Sequence, residues 1–235
     1  MKRIVCSHFI LLSLSLKNKI KMKKITYIIA AFTISLGLFS CDSAENTEVV
    51  EVEVVEETSA APVCEYSYFA DSTHFEWVAY KTSEKKGVPG GFNDIDVTSV
   101  SSDDPMVVLR SMKFRMNTAS VETNNEERNG KVAKHFFETI NTPYIEGKMM
   151  QINERNAIFE ITMNGILVEV QGDYTFENDV FNFETVIDVS AWEALAGIAA
   201  LNAECSDLHT GEDGVSKLWS EVKLSFSTTL MKDCE

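Results

Sequence analysis

Residues 158–188 read IFEITMNGILVEVQGDYTFENDVFNFETVID, and their period decides the fold. Phe159, Ile161 and Met163 alternate with Glu160 and Thr162. After Asn164-Gly165, Ile166, Val168, Val170, Tyr174 and Phe176 alternate with Glu169, Gln171, Asp173 and Thr175. After Glu177-Asn178-Asp179, Phe181, Phe183 and Ile187 alternate with Asn182, Glu184 and Asp188. Successive strand side chains point to opposite faces, so each run is a strand with one apolar and one polar face. Glu177-Asn178-Asp179, and Glu154-Arg155-Asn156 just upstream, read as hairpin turns.

The same period continues outward. Phe75, Trp77 and Ala79 share one face of an earlier strand, and Ile95 and Val97 one face of another. Met112, Phe114 and Met116 alternate with Lys113 and Arg115, and residues 144–152 form a weaker strand. Val222, Leu224, Phe226 and Leu230 mark the last. Eight long strands, each apolar on one face, must close around that face or pack as two sheets. Two helices are expected between them. Thr123-Asn124-Asn125-Glu126 reads as a capping box opening a helix to about Phe136, and Ser190-Ala191-Trp192-Glu193 as one opening a helix to about Leu201.

Upstream of Cys64 the chain changes character. Residues 1–40 carry seven Lys or Arg and no acid, and read as an export signal, with Met22-Lys23-Lys24 favoured as its start. No charge occurs from Ile25 to Cys41, and the run ends in Leu38-Phe39-Ser40-Cys41. That ending resembles a lipobox, which makes Cys41 the expected acylation site; an uncleaved anchor helix is the competing reading, on a run slightly short of a full span. Residues 41–63 are then the acylated Cys and an acidic tether, with seven acids and no base. Removing residues 1–40 leaves 14 of the 21 basic residues against all 36 acids, a net charge of −22. Such a chain has no electrostatic footprint for nucleic acid, and its membrane contact is expected through the acyl anchor.

The order of motifs resembles the YceI-like family over about residues 66–231. Asp71 to Trp77 with Lys81, then Val88-Pro89-Gly90-Gly91-Phe92, look like its first two strands. Ala119-Ser120-Val121-Glu122-Thr123, Arg128-Asn129, Phe136-Phe137-Glu138 and Pro143 look like its third strand, helix and following strand. Ile161-Thr162-Met163-Asn164-Gly165 looks like its Leu-Thr-x-His/Asn-Gly signature. Where the family often has Arg-Asp and then His-Leu, this chain has Asn129, Lys131 and Val132. The resemblance implies an all-β, eight-stranded antiparallel lipocalin-like barrel with two short helices over residues 64–235. It also implies an apolar cavity for a polyisoprenoid lipid such as a quinone, with no other cofactor.

In that barrel the inward, cavity-lining residues are expected to be Phe75, Trp77, Phe114, Met116, Phe159, Ile161, Tyr174, Phe176, Phe181, Phe183 and Phe226. The competing reading is a filled barrel serving as an interaction module, because an eight-stranded interior is either just filled or holds one small ligand. Catalytic signatures are missing from the sequence: it has no Gly-x-Ser-x-Gly elbow and no His-Glu-x-x-His pair. Cys205, His209, Glu212 and Asp213 are metal-ligand types, but their spacing fits no structural zinc pattern and they read as an acidic loop. Export implies an oxidising compartment, and in a closed barrel the first strand starts beside the end of the last. A Cys64–Cys234 disulfide is therefore expected, with pairings that use Cys205 as the rivals. The acidic composition favours a neutral ligand head, unless basic residues such as Arg110, Lys113 and Arg115 gather at the mouth.

Overall fold

A computed structural model describes residues 63–235. The expected signal segment, Cys41 and the expected tether up to Pro62 lie outside the described residues. Eleven strand segments form one antiparallel sheet: β1 (Cys64–Tyr68), β2 (His74–Lys81), β3 (Lys86–Phe92), β4 (Ile95–Thr98), β5 (Lys113–Asn117), β6 (Val121–Glu122), β7 (Tyr144–Ile152), β8 (Asn156–Met163), β9 (Ile166–Glu177), β10 (Val180–Asp188) and β11 (Leu218–Cys234). The helices are α1 (Pro105–Arg110), α2 (Glu126–Val132), α3 (Leu195–Glu204) and α4 (Ser206–His209).

The eight expected strands and the eleven segments are reconciled by three bends. β1 and β2 lie in succession along β11, and Ser72 fills the gap between them: its hydroxyl donates to Thr229 O at 2.9 Å and accepts from Thr229 N at 3.1 Å. β3 runs into β4, and β5 into β6. β3 pairs with β6 and β4 with β5, so these four segments are two bent strands side by side. Asn93 N donating to Ser120 O and Asn117 N donating to Asp94 O carry the ladder across the bend. From there pairing runs through β7, β8, β9, β10, β11 and β2 back to β3, so the sheet curls round to where it began.

Two turns explain the register. Asn164 and Gly165, at φ 51° and 68°, link β8 to β9, and Asn178 and Asp179, at 52° and 64°, link β9 to β10. Positive φ at both central residues fits the twist of a tight hairpin, and Asn, Asp and Gly tolerate it best. The Asn164 side chain adds a second role by donating to Trp192 O at 2.9 Å.

The helices begin elsewhere than the sequence reading places them. α2 is capped by Asn125, which accepts from Arg128 N at 2.8 Å; Thr123 instead donates to Asn129 Oδ1 at 2.6 Å. Ser190 lies inside a single 3₁₀ turn, Val189–Trp192, capped by Asp188, and α3 starts only at Leu195 after Glu193 turns left-handed. A nearby Asx side chain caps α2 and the 3₁₀ turn, since short acceptors satisfy the first free N–H groups well, whereas α3, with Ala194 at its N-cap, has no side-chain cap. α1 was not foreseen. Asp104 caps it, accepting from Met106 N at 2.8 Å, and Pro105 opens it.

These helices close opposite ends of the barrel. Val108 and Leu109 of α1 are fully buried among Met112, Met149, Phe159, Phe181, Phe183 and Leu230, and plug one end. At the other end Phe136, Phe137, Ile140, Trp192 and Leu201 form a second core around α2 and α3. After α2 the backbone widens to i→i−5 bonding: Glu138 N donates to Ala133 O and Thr142 N to Phe137 O, both at 3.0 Å. Such widening reduces the angle between neighbouring side chains. It lets consecutive Phe136 and Phe137 both turn inward, edge to face at 5.0 Å.

Candidate functional site: a half-open apolar barrel

The upper part of the barrel encloses a cavity of about 460 Å³. Strand residues Phe75, Trp77, Phe114, Met116, Ile145, Ile161, Ile187 and Val222 form its sides. Helical residues Val132, Phe136, Phe137, Ile198 and Leu201 and the turn residue Trp192 complete its wall. Trp192 is 1% exposed and is held by two hydrogen bonds, its Nε1 donating to Ile161 O at 3.0 Å and its carbonyl accepting from Asn164. The volume falls within the usual range for small-molecule sites, which are mostly apolar with a few polar groups at fixed points.

Five of the eleven residues named from the sequence line this cavity: Phe75, Trp77, Phe114, Met116 and Ile161. Phe159, Phe183 and Phe226 instead border a separate void of about 50 Å³ nearer the closed end. Tyr174, Phe176 and Phe181 line neither void. Phe181 is fully buried, with Tyr174 stacked on it at 5.7 Å and Phe176 packed against the same cluster. They point inward but lie at the level of the plug. The aromatic helix residues of the wall were missed because inward helical positions read as ordinary packing.

The polar groups gather at the opposite, open end. Lys81, Asn125, Glu127, Arg128, Lys131 and His209 border the cavity there. Lys131 is paired with Glu127 at 3.0 Å, and Lys81 Nζ donates to Leu208 O at 2.9 Å. Arg128 has no carboxylate within ion-pair reach among the described residues. Burial, then the nearby Lys86 and Arg128 charges, hold Lys81 below the ordinary lysine value. The mouth is thus locally cationic on an acidic domain. The basic residues suggested from sequence are not the ones that form it. Arg115 pairs with Glu146 at 3.2 Å and covers the Tyr144 ring at 3.6 Å, and neither it nor Arg110 borders the cavity; Lys113 borders only the smaller void. The domain's net charge therefore does not by itself decide the ligand's head group.

The Cys205–Asp213 stretch is more ordered than a loop. Cys205 is buried at the end of α3 and is a free thiol, with burial pushing its pKa up. His209 is buried in α4, its Nδ1 donating to Asn202 Oδ1 at 3.0 Å, and burial followed by the Lys81 charge lowers its pKa. Among the described residues no three His, Cys, Asp or Glu side chains converge on a metal position. Asn129, at the position where Asp is frequent in the resembled family, accepts from both the backbone N–H and the hydroxyl of Thr123 and so ties α2 to β6.

The YceI-like domain family model matches residues 66–230. The chain belongs to the YceI-like family. No curated protein sequence matches it. Among solved structures, a polyisoprenoid-binding domain from Saccharophagus degradans implicated in plant cell wall breakdown is similar in fold at 12% identity and a TM-score of 0.50, covering 74% of this chain and all of that one. BcnA of Burkholderia cenocepacia follows at 15% identity and 0.46, covering 70% and 99%, and the Campylobacter jejuni YceI protein at 16% and 0.41, covering 64% and 86%. In this YceI-like chain the Asn-Gly signature serves as the β8–β9 turn, and its asparagine clamps the Trp192 backbone beneath the cavity wall.

Proposed function

We propose that this YceI-like domain binds an apolar isoprenoid-type lipid, quinone-like in its head, and does so without chemical conversion. The observation that carries the reading is the 460 Å³ apolar cavity, with Lys81, Arg128 and Lys131 gathered at one end of its lining. A filled interaction module would need its upper barrel packed as its lower barrel is. The polyisoprenoid binding of the Saccharophagus domain supports the same ligand class. The tail lies inward against the aromatic wall, and an oxygen-bearing head meets the N–H donors of the mouth. We further propose that the domain works outside the cytoplasm, held to a membrane through acylated Cys41 and the 42–63 tether.

The magnitudes are sufficient. Each buried CH₂ is worth about 0.8 kcal/mol, so three five-carbon units gain roughly 9–12 kcal/mol. After about 4 kcal/mol lost to immobilisation roughly 5–8 kcal/mol remains, which reaches micromolar affinity at its upper end. Trp77 and Trp192 in the cavity wall provide the probe. Titration with a prenylated benzoquinone is expected to quench tryptophan fluorescence saturably, at one ligand per chain and micromolar concentration. The tail-less quinone should quench only weakly, without saturation in that range. Equal quenching by the two compounds would contradict a tail-inward site.

A further inference from the structure

The cavity stops well short of the plugged end, and what stops it is aromatic. Phe114, Met116 and Ile161 border the 460 Å³ cavity on one side and the 50 Å³ void on the other. Beyond them Phe159 stands 6.3 Å from Phe114 and 4.8 Å from Phe183, ring centre to ring centre. Two glycines let these rings reach across the interior: the Phe114 ring lies over Gly147 and the Phe183 ring over Gly172, where a Cβ would overlap them. The floor is therefore built from strand positions that combine a large ring with a missing side chain on the neighbouring strand.

We propose that this aromatic floor, with Phe114 as its upper surface, is a ruler that limits the length of prenyl tail the cavity engages to about three five-carbon units. The inference rests on the cavity being a prenyl-lipid site and adds the length it accepts. At about 30 Å³ per heavy atom, the share of one water molecule in the liquid, the cavity holds about 15 carbons. A tail seated on the floor fills the apolar wall with those units. Any further unit emerges among Lys81, Arg128 and Lys131, where it leaves little apolar surface dry. Affinity then rises with each unit until the floor-to-mouth distance is used and stays level beyond it.

The test uses delipidated full-length chain and a series of prenyl alcohols of one to six units, with affinity read by competition against a bound fluorescent probe. Wild type is expected to tighten at least tenfold per unit up to about the third, given the apolar area each unit buries, and less than threefold per unit thereafter. Phe114→Ala joins the two voids and should move the plateau about one unit longer. Ile161→Phe fills cavity space and should move it about one unit shorter; it decides the matter alone if Phe114→Ala does not fold. Continued tenfold tightening of wild type to the sixth unit, or an unchanged plateau in the folded variants, would overturn the ruler while leaving the lipid site standing. Wild type that binds no member of the series would overturn the lipid site itself, and the ruler with it.

Discussion

Ile187→Asp is expected to weaken prenyl-lipid binding by at least a hundredfold while leaving a folded barrel. Ile187 sits on β10 opposite Val222 of β11, and both side chains face the cavity. Without ligand, the carboxylate introduced there is hydrated by whatever water the half-open cavity admits. A bound tail must strip that water and offers no hydrogen bond in return. Burying an uncompensated polar group costs on the order of 2–7 kcal/mol, and a charge costs more unless it neutralises by taking up a proton. The loss should accordingly shrink as pH falls and the acid protonates. Val186, the next residue, is 61% exposed on the outer face. Val186→Asp adds the same charge to the same strand and should leave affinity within about twofold. Equal losses from both variants would mean that β10 matters through stability, or that the ligand sits elsewhere. A core position such as Phe183, at 5% exposure in the plug, is a poor choice for this experiment because a buried charge there threatens the fold.

Loss of the Cys64–Cys234 bridge should have the largest effect on stability. The two cysteines are directly paired positions on β1 and β11 and are joined across a sequence separation of 170 residues. Closing so long a loop in the unfolded chain removes entropy worth about 5 kcal/mol at 25 °C in the chain-entropy model, and native bridges commonly deliver 2–5 kcal/mol. Cys64→Ser with Cys234→Ser should lower the unfolding free energy by about 3–5 kcal/mol in a denaturant titration and loosen β1 first. β1 lies at the margin of the sheet: it pairs with the end of β11, meets Ser102 through Tyr66, and rests Tyr66 and Tyr68 on the lower core. Cys205→Ser, which breaks no bridge, should cost less. Peptide mapping without reductant should recover the 64–234 pair with Cys205 unmodified. A bridge containing Cys205, or a double variant as stable as wild type, would contradict this assignment.

The sequence made the strands legible because a half-buried sheet forces a period of two, and β8, β9 and β10 show it almost without interruption. It also indicated which side chains face inward. It did not indicate depth along the barrel axis. Phe75 and Phe226 are directly opposed on β2 and β11, yet only Phe75 reaches the large cavity. Alternation says in or out, and the void's extent depends on where α1 and the ring-over-glycine pairs sit. α1 escaped notice because it has six residues, too few for a helical period, and Val107-Val108 resembles strand; Asp104-Pro105 was its one local signal. The capping boxes at Thr123 and Ser190 fit the pattern, but Asn125 and Asp188 lay close enough to cap instead. Helical wall residues such as Phe136 and Trp192 carry no mark that separates lining a cavity from filling a core. The cationic mouth was equally hidden. Lys81 lies on β2 and Arg128 and Lys131 on α2, and only the fold brings them to one rim.

The most direct measurement is native mass spectrometry of the protein purified without detergent, followed by extraction and identification of whatever leaves with it. The account predicts a one-to-one adduct that survives desalting and releases an apolar lipid with a prenyl tail. A protein that carries nothing and takes up no prenylated lipid on incubation, or one whose adduct is a hydrophilic molecule, would contradict it.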